Sequence, residues 1–100
     1  MIQNLNFGQA LEAVKRGALI SREGWNKKGL FVFMQVPAVI GEDIIPKMQS
    51  LPDKAKSAFV ARGGSISYSN QMALVYPDNS IQGWAPSASD ALAEDWMVLE

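Results

Sequence analysis

Two short stretches set an aromatic ring beside a glycine: SREGWN at residues 21–26 and IQGWAPS at residues 81–87. A Gly-Trp step suits a lip over a flat ligand. Gly24 lets the backbone come close, while the indoles of Trp25 and Trp84 offer stacking faces. Arg22 precedes the first step, with Lys27 and Lys28 just beyond it, and a guanidinium can grip two phosphate oxygens at once. Arg62 and the backbone amides of a helix opening at Ser87 are further places for an anion. Asn26 can read a base edge or a hydroxyl, or it can simply shape the turn. Asp90 suits a ribose hydroxyl, a role carboxylates take in nucleotide sites, and it equally suits a helix cap shared with Ser87. Asp90 and Glu94 stand at i, i+4, so a helix would put them on one face as an acid–base pair, with Asp95 adjacent. Every tryptophan also has a plainer reading as core, since bulky aromatics carry small domains. Trp96, just before the terminal MVLE, is read as core.

These residues need elements to hold them. Asn6 and Gln9 form a capping box ahead of a helix whose apolar face is Phe7, Ala10, Leu11 and Val14. Glu12 and Arg16 pair on its other face, and Gly17 closes it. Residues 18–22 read as a short strand running into a Gly-Trp-Asn turn. LFVFMQV at 30–36 is apolar at nearly every position, the pattern of a central strand covered on both sides. Residues 37–50 carry Val39, Ile40, Ile44 and Ile45 but are broken by Pro37, Gly41 and Pro46. Such an apolar loop tucks under its own domain or meets a partner subunit. Ser50 and Asp53 frame a second capping box, predicting a helix over 52–62 that Gly63 and Gly64 stop. Strands follow at 65–68, 72–76 and 81–84, with PDNS as the hairpin turn between the last two. Ser87 and Asp90 open a short helix reaching Ala93, and 96–99 is a terminal strand. The sum is α+β: two or three short helices around a mostly antiparallel sheet of five or six short strands.

The bulk composition narrows the chemistry. With 100 residues, 48% apolar and 19% charged, the chain can fill a core and is expected to form a single domain over residues 1–100. A net charge of −1 argues against a general binder of DNA or RNA, which needs an excess of Lys and Arg. There is no cysteine and no histidine, which removes disulfides, thiol nucleophiles, the usual zinc sites and the commonest general base. No catalytic residue, metal ligand or cofactor is therefore assigned. No apolar run approaches the roughly 20 residues that cross a bilayer. MIQNLNFGQA lacks the basic-then-apolar pattern of a signal peptide, so the expected compartment is the cytoplasm.

NFGQALEAVKRG, SREGWN, KGLF and IQGWAPSASDALAEDW, taken together, resemble the second type of the phage Thoeris anti-defence family. The resemblance covers residues 4–36 and 72–100. It implies a non-enzymatic sponge that binds the cyclic ADP-ribose-type signal of bacterial TIR-domain proteins and keeps it from its effector. It further implies homo-oligomers, tetramers built from dimers, with ligand pockets between subunits. Some relatives also hold cyclic oligonucleotide signals at a separate site.

The candidate ligand-binding set is thus Arg22, Gly24, Trp25, Asn26, Trp84, Ser87 and Asp90. Trp25 would stack on a flat part of the nucleotide, while Trp84, Ser87 and Asp90 close the other side. Two rival classes stay open. One is an enzyme acting on a nucleotide through Asp90, Glu94 and Asp95. The other is a protein-binding inhibitor that uses the 37–50 loop or an open sheet edge.

Overall fold

The computed structural model describes residues 1–99. The chain divides into two compact units, one of Met1–Gln35 with the chain from Gln71 on, the other of Val36–Asn70.

The first unit is a six-stranded sheet with helices. Its strands are β1 (Ile2–Leu5), β2 (Leu19–Arg22), β3 (Phe31–Gln35), β6 (Gln71–Val75), β7 (Ile81–Gly83) and β8 (Trp96–Leu99). They lie in the order β1-β8-β2-β3-β6-β7, and every neighbouring pair is antiparallel. Helix α1 (Phe7–Lys15) starts from the expected capping box, with Asn6 Oδ1 accepting from the Gln9 N–H at 2.8 Å and Gln9 Oε1 accepting from the Asn6 N–H at 2.9 Å. It packs Ala10, Ala13 and Val14 against Ile20, Val32, Leu74 and Trp96, which form the core. β3 is central, as its composition predicts, and Val32 is wholly buried while Phe31 and Phe33 on its other face are half-buried. The β6–β7 hairpin turns through Asn79 at φ 66°, a left-handed position that asparagine tolerates.

The second unit holds strands β4 (Ala38–Ile40) and β5 (Ile66–Tyr68), paired antiparallel, a 3-10 turn at Ile45–Lys47, and helix α3 (Asp53–Arg62). Within it, Lys56 Nζ donates to the Pro46 carbonyl at 3.0 Å, and the Gly64 N–H donates to Glu42 at 2.8 Å. Ile45 is fully buried, whereas no residue of α3 is.

The fold class is α+β, as the sequence indicates. Residues 2–5, for which the sequence gives no element, form a strand because β8 offers them an edge, with Ile2 opposite Val98 and Leu5 opposite Trp96. Three local expectations are corrected. Gly-Trp-Asn is not a turn. It lies inside a short helix, α2 (Glu23–Lys27), and the reversal comes at Gly29, whose φ of 79° few other residues adopt. The Ser50–Asp53 box does not form, because Pro52 occupies the cap position in an extended conformation and α3 starts without a side-chain cap. Glu12 pairs with Lys15 at 3.5 Å, at i, i+3, rather than with Arg16 one residue further on. The apolar 37–50 stretch is also more regular than a loop, holding β4 and the 3-10 turn.

Trp96 is the largest fully buried side chain. Truncating a buried tryptophan costs about 3–5 kcal/mol, against a total of roughly 5–15 kcal/mol for a domain. Trp96→Ala is therefore expected to lose a large share of the stability of the six-stranded unit. A urea titration followed by far-UV circular dichroism reads this, and a midpoint within 0.5 M (roughly 1 kcal/mol at usual slopes) of wild type would show that the indole carries little.

Candidate functional site

The site forms where four chain segments meet at one end of the sheet. β2 delivers Arg22 and runs directly into α2, which carries Gly24, Trp25 and Asn26. β7 ends at Gly83 and hands over to Trp84, whose N–H still donates to the Met72 carbonyl at 3.0 Å. Ser87 caps α4 (Ala88–Leu92), and β8 begins with Trp96.

Four aromatic rings pack at steep angles here, all edge to face except the tilted pair of Phe7 and Trp96. Trp25 meets Trp84 with centroids 5.9 Å apart at 89°, and meets Trp96 at 5.3 Å and 83°. Trp84 meets Trp96 at 6.0 Å, and Phe7 lies 5.3 Å from Trp96 and 6.3 Å from Trp84. These are the separations at which the positive edge of one ring faces the negative face of another. Trp96 is buried as expected, whereas Trp25 and Trp84 pack against the core and stay half-buried. Both are core contacts and surface groups at once. Because the two indoles touch at right angles, a flat ligand cannot slip between them in this arrangement; it can lie in the corner they make. Hollows elsewhere, including one of about 340 Å³ lined by Leu51, Phe59, Arg62 and Tyr68, take in neither tryptophan. Arg62 belongs to the 36–70 unit.

Arg22 is tied down by two carboxylates. Its Nε donates to Asp95 Oδ1 at 2.9 Å, Nη2 to Asp95 Oδ2 at 3.4 Å, and Nη1 to Asp90 Oδ1 at 3.0 Å. Its Cζ lies 6.0 Å from the Trp25 ring centroid. A guanidinium held this way has fewer N–H groups left for a phosphate than the sequence suggests, and the pair of acids outweighs its charge. Asp95 raises the Arg22 pKa further above its ordinary value, with burial opposing and Asp90 adding to the rise.

Ser87 and Asp90 form the expected capping box. Asp90 Oδ2 accepts the Ser87 N–H at 3.1 Å, and Ser87 Oγ accepts the Asp90 N–H at 3.1 Å. Asp90 does more than cap, because its carbonyl accepts Trp96 Nε1–H at 2.8 Å. Burial pushes the Asp90 pKa up, but the Ser87 amide and hydroxyl together with Arg22 outweigh that and hold it below the ordinary carboxylate value. Glu94 does not share a helical face with Asp90, since α4 ends at Leu92 and Ala93 is extended. Asn26 is half-buried, and its side-chain amide makes no hydrogen bond among the described residues. Gly24 is exposed, and a Cβ added there meets nothing within 4 Å. Lys27 and Lys28 are exposed. Among the described residues no group of histidine, cysteine or acidic side chains is arranged to hold a metal.

The structure brings together Trp25, Trp84, Arg22, Ser87 and Asp90, which the sequence singles out as candidates, and adds Asp95, which the sequence places only among possible catalytic acids. Its signal was faint: Arg22 and Asp95 meet because β2 and β8 are neighbours with Arg22 opposite Trp96.

A lowered Asp90 pKa sets the sign of the acid response. Stability from this group is complete above the unfolded carboxylate pKa of about 3.9 and is lost as pH falls through the lower folded value. Asp90→Asn is expected to lower neutral stability by about 1.5–3 kcal/mol and to flatten the loss below pH ~4. Urea midpoints between pH 7 and 2.5 check this; an unchanged acid limb would assign the loss to other acids, such as Asp78, whose pKa Ser80 also lowers.

Residues 5–99 match the family model described as the Thoeris anti-defense 2-like domain. The protein named Thoeris anti-defense 2 of Bacillus phage SP01 is 30% identical over 99 residues, with 99% of each chain covered. The match runs through residues 37–71, where the sequence motifs are silent. This chain belongs to the Thoeris anti-defense 2-like family.

Proposed function

We propose that this protein protects a phage by sequestering the defence signal rather than by destroying it. The ligand is a cyclic ADP-ribose-type nucleotide from a bacterial TIR-domain protein, taken up in the infected cell's cytoplasm, with cyclic oligonucleotides as a further ligand class. Membership of an anti-defence family supports the role. The observation that supports the site is the half-buried right-angled corner of Trp25 and Trp84 beside the Asn26 amide, which makes no hydrogen bond among the described residues.

A purine ring lying on an indole contributes about 1–3 kcal/mol. Gly24 leaves open space beside Trp25 for the ligand to approach, and Asn26 supplies a donor and an acceptor for a base edge or hydroxyl. Arg22, held by Asp90 and Asp95, offers its remaining N–H groups, and Lys27 and Lys28 supply mobile charge for the diphosphate. Charged hydrogen bonds of this kind contribute about 1.5–3 kcal/mol each. One stacked ring and several such bonds reach the roughly −12 kcal/mol of nanomolar affinity, provided the pocket is preformed.

An open corner lacks a far wall, and a second copy of the chain supplies it. The same assembly covers Val36, Val39, Ile44 and Val60, which are exposed in the single chain. Tetramers built as pairs of dimers are the expected form.

Two outcomes test this reading. Purified protein titrated with cyclic ADP-ribose isomers released by a bacterial TIR-domain enzyme is expected to bind close to one per site and to return the nucleotide unchanged after heat release. Multiple turnovers seen by mass spectrometry would refute sequestration. Light scattering is expected to give a multiple of the 10.9 kDa chain mass. A single-chain mass across micromolar concentrations would remove the subunit wall.

A further inference from the structure

Helix α2, which carries Trp25, has little of its own to hold it. It spans five residues, buries none of them and has no side-chain cap, so helix formation alone cannot sustain it. What holds its start is one residue of a distant segment. The Asp95 carbonyl accepts the Glu23 N–H at 3.2 Å, taking an orphan amide of the first turn. The Asp95 carboxylate holds Arg22, the cap residue, through Nε at 2.9 Å and Nη2 at 3.4 Å. Arg22 in turn stands 6.0 Å from the centre of the Trp25 ring. Asp90 takes only one N–H of the same guanidinium, and it is already engaged with Ser87.

We infer that Asp95 is a positioning residue for the nucleotide corner, fixing Arg22 and the first turn of α2 and thereby the place of the Trp25 indole. This rests on the reading that the corner takes a nucleotide, but its structural half stands without it. The inference also reverses the sign expected from simple charge. If Arg22 served as a free phosphate clamp, neutralising Asp95 would release it and remove a repelling carboxylate, so binding would tighten. If Asp95 positions the corner, the same change loosens Trp25 and binding weakens.

Asp95→Asn and Asp95→Glu are the variants, each keeping the main-chain carbonyl that receives Glu23. Two readouts apply: near-UV circular dichroism, which senses the right-angled packing of Trp25 on Trp84 and Trp96, and titration with the cyclic ADP-ribose isomers used above. For folded Asp95→Asn, well below its melting temperature, the near-UV tryptophan bands are expected to shrink and affinity to fall tenfold or more. Asp95→Glu, which retains the charge, is expected to recover part of both. Should Asp95→Asn not fold, the glutamate variant, with its carboxylate displaced by one methylene, still reads a smaller loss of the same bands. Unchanged near-UV bands in either folded variant overturn the inference, whether or not wild type binds the isomers. Equal or tighter binding by Asp95→Asn overturns it in favour of the phosphate clamp. Failure of wild type to bind any isomer, with the near-UV change present, overturns the proposed function while the positioning role stands.

Discussion

The indole N–H of Trp96 is a polar group inside the core, and the way the fold satisfies it organises everything around it. Burying a tryptophan whole requires an acceptor for Nε1, or the burial costs a desolvated donor. The carbonyl of Asp90 provides that acceptor at 2.8 Å. This bond fastens α4 to the first residue of β8, so a five-residue helix too short to persist alone becomes a fixed part of the site. Once α4 is fixed, the Asp90 carboxylate has no choice of partner: Ser87 takes one oxygen and Arg22 the other. The faces of the Trp96 indole then decide where Phe7, Trp25 and Trp84 can pack, since each ring approaches it at a steep angle.

The charges at this end of the sheet follow from strand order. β2 and β8 are neighbours, and Arg22 stands opposite Trp96, so the residue before Trp96 comes within reach of the guanidinium. One arginine between two aspartates makes a part-buried ion-pair network whose geometry is worth more than its net charge. Asp95 meets it with both oxygens, the arrangement that gives an arginine pair its directional strength. A basic residue read from sequence as an anion clamp is in this fold mainly a strut, with a few N–H groups to spare.

How much of this was legible follows from what is local and what is not. The capping boxes at Asn6 and Ser87 were readable because all their partners lie within three residues. The apolar run of β3 declared its central place, and the glycines after α3 its end. Three things were hidden. β1 is four residues long and gains its reason only from the edge of β8. The helix at Gly24–Trp25 defeats propensity, because glycine and asparagine both favour turns and the support comes from Asp95, just ahead of the neighbouring strand β8. Asp95 itself was read only as a member of a possible acid–base set with Asp90 and Glu94, because its partner Arg22 lies far away in the sequence. For the candidate site, the aromatic pair was visible as two similar words in the sequence, but their contact at right angles was not.

The 36–70 unit raises a different constraint. A two-stranded sheet is marginal by itself in water, and here it is accompanied by a helix that buries no residue. Val36 is 71% exposed, Val39 70% and Val60 56%, three branched side chains that gain nothing from water. Evolution usually blunts such surfaces with charge, and β4, reading AVI, carries none. The burial missing from one chain is what a second copy provides in the proposed assembly. In the proposed assembly, association buries those side chains, which makes the stability of the 36–70 unit depend on subunit concentration.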